Sequence, residues 1–356
     1  MKVFIDIGHP AHVHYFKNIS RQLQIKNNQV LFIARNRDVI FRLLDVYNLN
    51  YVSKGKGSRH FIGKIFYFLK SIACIVYYAN KHKADLLISH GGMYCPLVGW
   101  LLKIPTITTE DTEHASVSHK ISRFPNNFYF TPFNFAKNLG HNHFRVNSVM
   151  EWLYLSPKYF SPSIDIVKTL KLKEGESYVI LRFISWDAYH DLGHKSIDIK
   201  MKRHLIELLE RKYKVFISNE GKLPEEFEKY KLPAPPEYIH EVLMSAKIFI
   251  SESGTMSSEA ALLGTPTIYI NSLPLMCYLN LAKDNGILEY FSTTNNLLEY
   301  IEKLLLDENI KNNTILKKDK MVKQFIDFNK LLVWFIENYP LSISILRKDP
   351  DFQQRF

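Results

Sequence analysis

Residues 2–7 (KVFIDI) are apolar almost throughout and run directly into Gly8-His9-Pro10-Ala11-His12, after which apolar residues recur at helical spacing over 13–24. A continuous apolar strand needs cover on both faces, and strand, short loop, helix is the opening unit of a doubly wound α/β sheet. The pattern repeats. Strands are expected at 29–34 (QVLFIA), 85–89 (DLLIS) and 106–109, with helices at 39–47, 61–79 and 96–102. Two Ser-Pro steps without periodicity over 155–163 read as a linker. The alternation then restarts with strands at 178–183 (YVILRF), 214–218, 248–251 and 267–270, and helices at 201–211, 238–245 and 257–263. The expected fold is α/β, with two doubly wound Rossmann-like domains facing a central cleft. The first spans 1–155 and the second 164–330; a helical segment, 331–356, is placed to pack back on the first.

Composition narrows the function classes. With 46% apolar residues among 356, and only 14 Gly and 15 Pro, the chain is neither disordered nor collagen-like. Lys plus Arg is 46 against 35 acidic residues, a net charge of +11 that favours an anionic partner. Dispersed basic residues and no recognised nucleic-acid motif argue against nucleic acid as that partner. Three cysteines without C-x-x-C spacing point to a reducing, cytoplasmic setting and no cysteine zinc site. The apolar run at the N-terminus is too short for a signal peptide. Stretch 61–79 has membrane length, but Lys64 and Lys70 interrupt it, so an amphipathic helix is expected. With the basic loop 54–59 it either covers the sheet or makes peripheral contact with an anionic membrane.

Ligands of open α/β sheets bind outside the carboxyl ends of the strands, so the loops there carry the chemistry. The strongest signal is 251–266, SESGTMSSEAALLGTP. Here a Ser253-Gly254-Thr255 turn would present backbone N–H groups at a helix N-terminus to a phosphate or diphosphate. Glu259, one turn in, has carboxylate oxygens suited to a vicinal diol such as ribose. The plainer alternative is an ordinary N-capped helix with Glu259 solvated.

Histidines cluster after the strands: His9, His12 and His14; His90; His114; His190 and His194. Each could be a capping or core residue. A near-neutral imidazole can accept a proton from a hydroxyl, and His12 is the candidate general base, with Asp111 or Glu113 orienting it or substituting for it. Glu110, Asp111 and Glu113 place three carboxylates in four positions, either as acid/base groups or as an acidic loop in which Asp111 or Thr112 caps the next helix. Arg182, near the end of its strand, calls for an anionic partner, a donor phosphate or Asp187. His190 and His194 with Asp191 have metal-pair spacing, but Gly193 weakens the helix and no third ligand is evident, so no metal is expected. Trp186 and Tyr189 would stack on a base or sugar, or pack an interface.

The 251–266 stretch resembles the sugar-nucleotide motif of the GT-B superfamily, as in UDP-N-acetylglucosamine 2-epimerase and the peptidoglycan lipid-intermediate N-acetylglucosaminyltransferase. With IDIGHPAHVHYFKN (5–18), DTEHA (111–115) and WDAYHDLGH (186–194), the chain is similar over nearly its whole length to an uncharacterised prokaryotic family grouped with those enzymes. The resemblance implies a GT-B architecture and a nucleotide-sugar site, with Ser253, Gly254 and Thr255 on the diphosphate and Glu259 on the ribose. His12 matches the histidine after the transferase's Gly-rich loop, although this loop reads GHPAH. Gly8, His9, His114, Arg182, Trp186 and His190 complete the expected substrate-binding set.

The leading expectation is a metal-independent glycosyltransferase. It would move a sugar from a nucleotide-diphosphate donor, UDP-linked, to a surface-polysaccharide, lipid-linked or other glycan acceptor, without a cofactor. The alternative is a nucleotide-sugar 2-epimerase, for which the carboxylate cluster is the main argument.

Overall fold

The computed structural model describes residues 1–58, 60–184, 197–219 and 222–356. The chain divides into two compact units, Met1–Tyr159 with Gln324–Phe356, and Phe160–Lys323. Each is a parallel sheet interleaved with helices, so the molecule is an α/β protein of two Rossmann-like domains.

In the first unit the strands are β1 (Lys2–Ile7), β2 (Gln29–Ala34), β3 (Tyr51–Ser53), β4 (Leu86–His90), β5 (Thr106–Thr109), β6 (Asn127–Pro132) and β7 (His143–Val146). Their order is β3-β2-β1-β4-β5-β6-β7 and every pairing is parallel. Strands β3, β6 and β7 go beyond the sequence expectation. Strand β3 is three residues long and only partly buried, and β7 (HFRV) mixes polar with apolar positions, so neither shows the apolar run that betrays a central strand.

The Pro10–Ile25 helix begins three residues earlier than its periodicity suggested. Pro10 occupies the first turn, where a missing N–H costs nothing, and the His9 side chain accepts the Ala11 N–H as N-cap. His12 therefore belongs to the helix's first turn, not to a loop.

The second unit carries β8 (Tyr178–Arg182), β9 (Lys214–Ser218), β10 (Phe249–Ser251), β11 (Thr267–Ile270) and β12 (Leu288–Phe291), in the order β12-β11-β10-β8-β9, all parallel. Val179, Leu181, Ile217, Ile250 and Ile268 of the sheet pack with Leu205, Leu209, Leu297 and Ile301 from the covering helices.

The tail from Gln324 belongs to the first unit because its aromatic residues meet that sheet. Phe335 lies 5.8, 5.0 and 5.7 Å from the ring centroids of Phe128, Phe130 and Phe144. Asn329, fully buried, donates to the Leu153 carbonyl at 2.7 Å, and Asp327 caps the Phe328–Glu337 helix while accepting from Tyr159 and Lys158.

Candidate active site

Each sheet has one place where successive connections leave in opposite directions, and a doubly wound sheet opens its ligand crevice there. In the first unit it lies between β1 and β4. From β1 the chain passes through Gly8 into His9 and the helix; β4 ends on His90 itself, followed by Gly91 and Gly92 at φ +56° and +78°, left-handed conformations that suit glycine.

Seven side chains converge at this point. The His12 and His90 rings meet edge-on with centroids 5.0 Å apart, and Tyr15 lies 4.7 Å from His90 and stacks on His12 at 6.0 Å. His90 Nδ1 is 3.0 Å from Thr109 Oγ1, and its Nε2 is 3.4 Å from Asp111 Oδ1. Asp111 and Glu110 are both buried. Glu110 Oε1 accepts the N–H groups of Asp111 and Thr112 at 3.0 and 2.8 Å, and its Oε2 lies 3.2 Å from His119 Nε2.

These surroundings drive the two imidazoles apart. Burial, then the neighbouring His90, His9 and Lys54 charges, hold His12 well below the ordinary 6.5, so it is neutral at pH 7. Burial also opposes a charge on His90, but the Asp111 carboxylate, through charge and hydrogen bond, together with Glu110, outweighs it and raises His90. A pair of adjacent titratable groups pushed in opposite directions is how a fold prepares an acid and a base at one pH. His12 Nδ1 accepts the Gly8 N–H at 3.4 Å, a long bond, and Nε2 serves as base only in the tautomer that gives this bond up.

Asp111 thus meets His90, the ring beside His12, whereas the sequence reading has Asp111 or Glu113 orienting His12 or substituting for it. Glu113 makes a different bond, accepting the Ala136 N–H at 2.8 Å. The capping expectation for this loop is also corrected. The next helix is Ser116–Ile121, with Ala115 at its N-cap and no side-chain cap, because Glu110 rather than Asp111 or Thr112 collects the loop's amides. His114 is exposed.

In the second unit the connections diverge between β8 and β10, whose register sets Arg182 beside Ser251 and, on the other side, Ser218. Arg182 is buried, and its Nη1 donates to Ser218 Oγ at 3.3 Å. The Gly254–Leu262 helix starts at this spot with Ser253 as N-cap, no side-chain cap bond, and Ser253, Gly254 and Thr255 partly exposed. Its first N–H groups have no partner one turn back. A Cβ on Gly254 would come 3.2 Å from Tyr278 Oη and 3.3 Å from Leu279 Cδ1. Glu259 is not the solvated carboxylate of the plainer reading. It is buried, with Oε1 3.1 Å from His240 Nε2, and the His240 ring stands edge-on to Phe160. Trp186, Asp187, Tyr189, His190, Asp191 and His194 lie outside the described residues.

A family model described as protein of unknown function DUF354 matches residues 1–333. The chain belongs to this family. A relative from Methanocaldococcus jannaschii, uncharacterized protein MJ0665, is 23% identical over 278 residues, covering 75% of this chain and 81% of the relative. Among solved structures, S. aureus MnaA with UDP superposes with a TM-score of 0.71 at 14% identity, covering 96% of this chain and 98% of that one. A UDP-N-acetylglucosamine 2-epimerase from Listeria monocytogenes, so described as putative, gives 0.67 at 13% identity and covers 95% and 96%. The Streptomyces glycosyltransferase SsfS6 gives 0.60 at 13%, covering 95% and 100%. These likenesses place the DUF354 chain in the GT-B fold.

Sequence reasoning gave no role to His119, His240 or Glu252 in this DUF354 chain. Glu252, buried inside the 251–266 motif, accepts the Ile184 and Ile197 N–H groups at 3.2 and 2.7 Å, gathering two chain points far from it in sequence. Its place directly after a strand was the available signal. His240 offered none, since its partner is 19 residues away. His90, Glu110 and Asp111 each have a ligand-type atom within 4.8 Å of the others, a spacing a cation could bridge. Here those atoms engage one another, backbone amides and His119.

Proposed function

We propose that this chain is a glycosyltransferase that takes a nucleotide-diphosphate sugar, UDP-linked, and passes the sugar to a hydroxyl of a glycan or lipid-linked acceptor. The carrying observation is the neutral His12 beside the Asp111-held His90 at the β1/β4 divergence. In this reading His12 takes the acceptor proton as the new bond forms between the acceptor oxygen and the sugar's anomeric carbon. The bond from that carbon to the diphosphate breaks, and the nucleoside diphosphate leaves with the electron pair. The Ser253 hydroxyl, the amides at Gly254 and Thr255 and the Arg182 guanidinium stabilise the charge it gains, and Glu259 reads the ribose. Gly8, His9 and His114 belong to the acceptor side.

No metal is needed in this scheme, because helix N-terminus and guanidinium do the neutralising. Turnover should persist in excess EDTA. The setting is the cytoplasm, with the chain meeting the membrane's inner face where a lipid-linked acceptor would be presented.

A second reading, nucleotide-sugar 2-epimerase, is favoured by the carboxylates themselves. Asp111 on His90 and Glu110 on His119 put two buried carboxylates beside imidazoles, more acid/base groups than hydroxyl deprotonation requires, and the Listeria neighbour is described as such an enzyme. An NMR time course with UDP-sugar alone separates the two. A transferase leaves the sugar's C2 configuration unchanged and releases UDP only slowly to water; epimer formation without acceptor would replace the first reading with the second.

A further inference from the structure

We infer that the Phe61–His82 helix docks this chain on an anionic lipid surface. The helix carries an inner face, Ser71, Ile75 and Ala79, that is buried, with Ile75 and Ala79 in a cluster with Phe4, Ile33 and Leu87 of the sheet. On the opposite face Ile62, Phe66 and Leu69 are 67%, 68% and 56% exposed, and Phe61, in the first turn, is 78% exposed. Contiguous large apolar side chains in water at this level mark an interaction surface, not normal surface scatter.

The helix is long and apolar enough to cross a membrane by length and composition. Its place in the fold decides otherwise. It links β3 to β4, both strands of one sheet ordered β3-β2-β1-β4, and its inner face is part of that sheet's core. It lies on a surface rather than passing through one.

Charge selects the occupant. Residues 46–84 contain no Asp or Glu, but six Lys and Arg59. Lys54 is buried against Asp6, whereas Lys56, Lys64, Lys70, Lys81 and Lys83 are exposed. Exposed apolar side chains among exposed lysines, in a stretch without Asp or Glu, match acyl chains under anionic headgroups. A second copy of the chain would bring like charges together across an isologous interface.

The inference deepens the acceptor side of the proposed function, yet its test needs no nucleotide. The full chain is floated with vesicles of three parts phosphatidylcholine to one part phosphatidylglycerol, and with phosphatidylcholine alone. It should float with the first, not with the second, and release as salt rises. The double variant Ile62→Ser, Phe66→Ser should lose at least about tenfold in vesicle affinity with an unchanged melting temperature, because both positions are exposed. Lys64→Gln and Lys70→Gln should each weaken it about fivefold. Failure to float with anionic vesicles, equal flotation of the serine variant, or a dimer that the serine variant abolishes would overturn the assignment. If flotation fails while UDP still binds, only the docking surface falls; if flotation holds while UDP does not bind, only the nucleotide-sugar reading falls.

Discussion

His240 Nε2 lies 3.1 Å from Glu259 Oε1, and both side chains are buried. The imidazole holds one carboxylate oxygen of Glu259 within a helix whose first turn is open to solvent. Under the proposed function, this contact orients Glu259 for the ribose diol.

Discrimination between ribose and 2′-deoxyribose reads this arrangement directly. The wild-type chain should bind UDP about tenfold or more tightly than 2′-deoxy-UDP, the value of a hydrogen bond to a charged group. Glu259→Gln should shrink that ratio. His240→Ala should shrink it too and cost about 1–3 kcal/mol of stability by removing one buried partner of the carboxyl group, whereas His240→Asn, which keeps a donor, should recover part of both. Calorimetry with the two nucleotides decides; a ratio unmoved in Glu259→Gln excludes the ribose contact.

The pH dependence of turnover follows from the opposed imidazoles. His12 must be neutral to accept a proton and is held well below 6.5, so the acid limb of kcat/KM should fall below pH 6.5. His90 is raised above 6.5 and loses its proton as pH climbs, which places the alkaline limb above 6.5. Asp111→Asn removes the charge that raises His90 and should move the alkaline limb to lower pH. His12→Ala should lower kcat by about 10²–10⁴ and leave UDP affinity intact. Wild-type turnover in that variant would remove His12 as the base.

Gly254→Ala tests the close approach at the helix N-terminus. The added methyl would press on Tyr278 Oη and Leu279 Cδ1 and shift the first turn of the helix, whose amides the proposed function gives to the diphosphate. UDP affinity should drop by about tenfold or more, with uridine less affected, since only the former carries the phosphates. Equal losses for the two ligands would argue against a phosphate contact at this turn.

Acid stability should depend on His143. Burial, then Arg145, Arg123 and His119, hold it down to about 4 from 6.5, and it accepts the Leu139 N–H at 3.2 Å through Nδ1. Between pH 6.5 and about 4 the unfolded chain binds a proton that the folded chain refuses, so stability falls as pH drops through that window and levels off below it. Thermal melts of His143→Gln across the same range should show a shallower decline.

The tail's role can be measured by truncating one ring. Phe335→Ala removes a fully buried side chain from the Phe128, Phe130 and Phe144 cluster and should cost about 3–5 kcal/mol. Differential scanning calorimetry should show the loss in the transition of the first unit and leave that of the second in place.

Local sequence determined the parts of this protein whose cause is local. Apolar runs such as KVFIDI and KVFIS form strands, Ser253-Gly254 opens a helix after one, and the clustered histidines lie at or just after strand ends wherever they are described. Tertiary structure decided the rest. Strand order is a long-range property, and it put Gly8 and His90, 82 positions apart, on either side of one divergence point. The same packing gave Asp111 to His90, gave Glu259 to His240, and left Ile62 and Phe66 in water while Ile75 went inside. Propensity acts over a few residues, but a buried charge is tolerable only where the whole fold supplies its partner, and no window of sequence contains that information.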